Sequence, residues 1–256
     1  MIIKNIIWSP LDQFEIVSYI TLSIPIVGQN SISINNLNIY AIIIIILIFN
    51  LHFQSDNNYR LVPSHWSVAI ESIYTSVHNT VQNQIGENNE IYTPFIYSLF
   101  LFILFANLNG NIPYGYTITT SAITSIGISV IIFLSVTIIA LYLHNIKFFS
   151  YFVPEGTPLG LVFLLVLIEL VSYLARAVSL GVRLFSNIVA GHTLLKILST
   201  FLTQLFTSGV ITSILTLIPF AIFVGLVGLE IAVSFIQSYV FIVLVCSYIK
   251  DAIQLH

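Results

Sequence analysis

Apolar residues fall into long unbroken runs, and the polar residues between them are concentrated in short clusters. The run at 37–53, which contains AIIIIILIFN, is about as short as an upright membrane-crossing helix can be. Asp56, Asn57, Asn58 and Arg60 follow it and predict its end in water. Residues 63–85 read differently. Val68, Ile70, Ile73, Val77, Val81 and Ile85 are interleaved with Glu71, Ser72, His78, Asn79 and Gln82, a pattern that predicts an amphipathic helix lying in the membrane interface. The polar turn GENNE follows, then apolar runs at 91–112, before IPYG, and at 117–144, before Asn145 and Lys147, which predict two more crossings. Residues 1–36 form an N-terminal segment to which the pattern assigns no element.

The second half of the chain is harder to fit into a bilayer. FVPEGTPLG at 152–160 is a break with two prolines and two glycines, and Thr157 and Pro158 suit the cap and first residue of a helix. From 157 to 205 no further strong breaker appears after Pro158, and such a helix would run for about 72 Å against a hydrocarbon core of about 30 Å. It must tilt steeply, curve, or break at Gly181 or Gly191. A second over-long apolar stretch covers 209–250, with Pro219 as a kink. Two consecutive over-long helices predict an antiparallel hairpin oblique to the membrane, able to lie along the side of another membrane assembly. No internal repeat supports an inverted-repeat transporter.

Composition agrees with an all-α polytopic membrane protein made of one membrane domain, 1–256. The chain is 57% hydrophobic and 7% charged, with a mean hydropathy of +1.01, whereas soluble domains carry about 25% charged residues. A net charge of −3 without a basic tail argues against nucleic-acid binding. The one cysteine, Cys246, excludes an internal disulfide. Met occurs only at position 1 while Ile, Asn, Tyr and Phe are abundant, a bias of AT-rich genomes such as those of organelles.

The few charges inside the apolar runs carry the chemistry. Glu169, Arg176 and Arg183 recur every seven residues, which places them along one narrow helix face, with Asn187 four residues further on. A guanidinium in lipid costs about 2.5–3.5 kcal/mol on the mildest scale, so two on one face predict a polar track for ions. Arginine does not release its proton, but it can hold a passing carboxylate in the ionised form. The competing explanation is a structural ion pair, for example with Glu169, although seven residues is too long a spacing for contact within one helix. His192 faces about 180° away from Arg183. Glu230 stands in an apolar run, with Ser234, Gln237 and Asp251 on roughly the same side of the last helix. If the long helices are antiparallel, His192 and Glu230 can meet and offer a path by which protons come in. Lys196 is expected to snorkel. Asn107, Asn109 and Asn111 suit capping before IPYG as well as lining a channel. His52, His65, His78 and His144 read as interfacial or loop residues. There is no phosphate loop, haem-ligand pair or nucleophile with a base, so no catalytic residue, metal or cofactor is expected.

SLGVRLFSNIVAGH at 179–192, preceded by ELVSYLARAV and followed by a long helix with Glu230 and Gln237, resembles subunit a of F-type ATP synthases. SPLDQFEI at 9–16, ANLNGNIPYG at 106–115, FVPEGTPL at 152–159 and YIKDAIQLH at 248–256 are similar to the mitochondrial, fungal form. The resemblance implies a fixed subunit in the mitochondrial inner membrane. Its partners would be a rotating c-ring of carboxylate-bearing subunits, other membrane and peripheral-stalk subunits, lipids, and protons as the transported ion. By position it implies that Arg183 separates two offset half-channels. Asn187, His192, Glu230, Gln237, Asp251 and Asn107 would then belong to the inlet, and Glu169 and Arg176 to the matrix-side outlet. From the residues alone, the alternatives are a self-contained ion channel or transporter with an anion-binding Arg face, and a structural membrane anchor.

Overall fold

A computed structural model describes residues 11–23, 31–55, 62–112, 115–152 and 159–253. The polar cluster at 56–60 and the proposed helix start at Thr157 and Pro158 lie outside the described residues. Among the described residues, seven α-helices follow one another: α1 (Asn36–Ser55), α2 (His65–Ile85), α3 (Thr93–Gly110), α4 (Ala122–His144), α5 (Leu159–Ser208), α6 (Val210–Leu215) and α7 (Leu217–Ile253). Five helical spans among the described residues are long and apolar enough to cross a membrane: Asn36–Ser55, Asn89–Gly110, Ala122–Phe148, Val162–Ser208 and Ile211–Ile253.

Helix boundaries follow local chemistry. Ser64 caps α2 by accepting the backbone N–H of Ser67 at 3.3 Å. Gly86 ends α2 at φ +102°, a conformation that side chains other than glycine rarely adopt. Pro94 lies in the first turn of α3, where its missing N–H leaves no bond unmade. Pro219 also sits in a first turn, that of α7. Its ring cannot coexist with an uninterrupted helix through Leu215, so the break falls at Thr216, between α6 and α7. At the other end of α7 the His144 ring meets the carbonyls of Ala252 and Ile253 at 3.2 and 3.1 Å, so this histidine caps a helix rather than resting in a loop.

The all-α polytopic fold holds, with one small addition. The all-α reading omits a small antiparallel hairpin in the N-terminal segment, β1 (Ser18–Ser23) with β2 (Ser31–Asn35). Its alternation of Ser with Ile is a strand period, too short to stand out among apolar runs. Asn36, at the start of α1, donates from Nδ2 to the carbonyl of Glu15 at 3.1 Å and ties this segment to the bundle. Of the three alternatives for the over-long segment, a break at Gly181 or Gly191 is the one that α5 does not take. It runs for 50 residues, about 75 Å, as one helix.

The core lies around the C-terminal half of α7. Phe241, Ile242, Val245, Cys246 and Ile249 pack there with Val77, Val81 and Ile85 of α2, Ile96 and Ile103 of α3, Ile132 and Val136 of α4, and Leu180 and Leu184 of α5. The apolar side of the amphipathic α2 is therefore built into the bundle. Along α5, Ala177, Leu180, Leu184 and Ile188 are buried at helical spacing, whereas Leu174, Val178 and Val182 are exposed. Large apolar side chains stay exposed along both long helices, among them Phe163, Leu174 and Val178 of α5 and Ile222, Val224 and Ile236 of α7. Two long helices thus present bare apolar faces, the property expected of surfaces covered by lipid or another membrane subunit.

Candidate functional site

Among the described residues, polar side-chain pairs join α5 to α7 at three levels. Arg176 pairs with Asp251, Asn187 with Gln237, and His192 with Glu230. As the position rises along α5, its partner's falls along α7, so the two helices run antiparallel in one register. This is the arrangement that lets His192 reach Glu230.

At one end of the row, Arg176 donates from Nη1 to Asp251 Oδ2 at 3.0 Å, and its Nη2 lies 3.9 Å from Glu169 Oε1. The contact with Glu169 corrects the expectation that a seven-residue spacing forbids it. Both side chains are long, and together they bridge the two turns between them. Asp251 is corrected as well. It belongs with Arg176 and Glu169, and its 21-residue separation from Glu230 amounts to about 31 Å along α7. Tyr173, Tyr248, Phe133 and Phe148 line an apolar pocket against this pair.

At the other end, His192 Nδ1 faces Glu230 Oε1 at 3.2 Å. The oxygen is buried and the contact is too far off-line to be a hydrogen bond, so the lone pairs of Oε1 remain uncommitted. Gly191 makes the approach possible: a Cβ there would stand 3.0 Å from Glu230 Oε1. The other ring nitrogen, Nε2, lies 3.4 Å from the hydroxyl of Thr117, and the Phe14 ring stands edge-on at a 6.3 Å centroid distance.

Between the clusters, Asn187 donates from Nδ2 to Gln237 Oε1 at 2.8 Å. Arg183 lies about 10 Å along α5 from Arg176 and about 14 Å from His192. It is exposed, beside Val182, Ser186 and Asn187, and has no ion pair among the described residues. Every other charge in the row has an opposite charge at hand.

Asn107 is fully buried and accepts from Thr119 Oγ1 at 3.0 Å, within the segment that leads to Thr117. Among the described residues it makes no hydrogen bond with His192 or Glu230. Asn111 donates from Nδ2 to Ser234 Oγ at 3.1 Å, and Ser234 donates to the Glu230 carbonyl at 2.9 Å. Lys196 is exposed. Sequence reasoning missed Thr117, Phe14 and the role of Gly191. Only Gly191, next to His192, carried a signal, because a glycine inside a helix invites a packing reason.

The fold and these pairs define a multi-pass membrane protein whose long hairpin presents one exposed arginine on an apolar face between two polar clusters. The family described as ATP synthase A chain matches residues 37–250. The chain is 61% identical over 251 residues to ATP synthase subunit a of Mycosarcoma maydis, covering 98% of this chain and 99% of that one. It is 49% identical to the subunit a of Trichophyton rubrum, over the full length of both, and 47% identical to that of Emericella nidulans, over 98% of both. The chain belongs to the ATP synthase A chain family.

Proposed function

We propose that this chain is the stationary proton-conducting subunit of a mitochondrial F-type ATP synthase, embedded in the inner membrane beside a rotating c-ring and held by other membrane and peripheral-stalk subunits. The observation that carries the reading is Arg183: an exposed cation, unpaired among the described residues, on a bare apolar face between two polar clusters. A guanidinium left so in lipid is expensive, and a carboxylate brought by another subunit relieves that cost.

In this reading the rotor carboxylate is ionised only while it faces Arg183, since an opposite charge favours the ionised form and lipid favours the neutral one. On the inlet flank a proton passes through His192 and Glu230 to the carboxylate leaving the arginine. After a turn of the ring, the next neutral carboxyl arriving at Arg183 gives its proton up to the outlet flank, where Glu169, Arg176 and Asp251 stand. Asp251 therefore moves to the outlet side. Asn187 and Gln237 line the barrier beside Arg183, and Asn107 supports the inlet from behind. Because arginine holds its own proton, none crosses directly between the half-channels. The chain itself catalyses no bond chemistry.

The test is reconstitution. The purified chain alone in liposomes should conduct little, and proton flux should appear only in vesicles that also hold the ring and the rest of the membrane sector. Selective, saturable anion flux through the chain alone would favour a self-contained channel instead.

A further inference from the structure

Thr117 stands in the short segment between α3 and α4, 75 residues before His192 in sequence and nearly buried. Among the described residues, its hydroxyl provides the one aligned hydrogen bond to the His192 ring, 3.4 Å from Nε2, since the Glu230 contact is close but off-line. The segment is itself held firmly. The Thr117 carbonyl accepts from Thr120 Oγ1 at 2.6 Å, Thr119 is bonded to Asn107, and the methyl group of Thr117 lies directly against Gly110, which has no side chain to displace it.

We infer that Thr117 is the positioning residue that aims His192 at Glu230 and lets the ring change protonation state without turning. The inference rests on the reading of His192 and Glu230 as the inlet. The Glu230 carboxylate beside Nδ1 favours a proton on that nitrogen, which leaves Nε2 as an acceptor. A hydroxyl suits both states of the ring, because it donates to Nε2 when the ring is neutral and accepts from Nε2–H when the ring is charged. It can switch by rotating its O–H, with no heavy atom moving. A methyl group can do neither. The Phe14 ring stands edge-on to the same imidazole, so two segments far apart in sequence contact His192.

The methyl and hydroxyl groups of Thr117 make opposite predictions, which is what allows a test. In the whole complex reconstituted in liposomes, Thr117→Val keeps the shape and removes the hydroxyl, whereas Thr117→Ser keeps the hydroxyl and removes the methyl. ATP-driven proton pumping should fall about tenfold in T117V, the effect of losing a hydrogen bond to a charged group, and T117S should retain most of it. In a His192→Ala background, T117V should cause no further loss. Pumping that survives in T117V, a loss confined to T117S or equal in both variants, or losses that add in the double variant would each overturn the inference. Arg183→Ala in the same assay separates the two levels. If R183A pumps normally, the proposed function itself fails. If R183A is silent while T117V pumps normally, only the role of Thr117 fails.

Discussion

Arg176 Nη1 donates to Asp251 Oδ2 across 3.0 Å, joining the first half of α5 to the last turn of α7 over 75 residues of sequence. The pair also sets the register in which Asn187 meets Gln237 and His192 meets Glu230. Its side chains remain about a third exposed, at 32% and 39%, so the charge itself should contribute only about 1 kcal/mol. Asp251→Asn, which keeps an acceptor oxygen, should therefore destabilise less than Asp251→Leu. Detergent-induced unfolding of the two variants checks the order, and equal losses would mean that the hydrogen bond contributes nothing.

Gly181 is where α5 touches α4. A Cβ at this position would stand 2.5 Å from Ser129 Oγ, 2.8 Å from Ile126 Cα and 2.9 Å from the Ser125 carbonyl. Two of these are backbone atoms and cannot rotate away. Gly181→Ala should therefore cost about 1–3 kcal/mol by forcing the helices apart. Gly127→Ala, which meets nothing within 4 Å, should be neutral or slightly stabilising. Thermal stability of the purified variants tests the contrast.

Gly191 acts on chemistry more than on stability. A Cβ there would press on Glu230 Oε1 at 3.0 Å, and the end of a glutamate can swing aside at little energetic cost. The displaced carboxylate would no longer face His192. Gly191→Ala should leave assembly intact and slow ATP-driven proton pumping by about tenfold, a modest loss of geometry on a proton path. Assembly is read by native gel and pumping by a pH-sensitive dye; normal pumping would show that the His192–Glu230 contact is dispensable.

Much of this arrangement is legible in the residues. Length alone demanded an over-long hairpin, and Glu230 in an apolar run demanded a partner on the facing helix. His192 was the one ionisable residue at the right place on the right side of α5. The long α5 is legible from its length and its lack of a breaker after Pro158, but which alternative holds is not, because Gly181 and Gly191 look like break points until their neighbours are known. Each glycine instead accommodates a close approach, to α4 at Gly181 and to Glu230 at Gly191. Helical angle groups Asp251 with Glu230 because it says which side of α7 a residue occupies but not which end, and the end decides its partner. Thr117 and Phe14 lie in segments of weak pattern, and only the folding of distant chain around His192 gives them a role.

If Arg183 is the barrier between the half-channels, its loss must stop proton transfer without stopping ATP hydrolysis. In the intact complex reconstituted in liposomes, ATP-driven proton pumping should be abolished by Arg183→Ala while ATP hydrolysis by the detergent-released catalytic sector continues. Proton pumping by the R183A complex at the wild-type rate, with hydrolysis still coupled to it, would contradict the account.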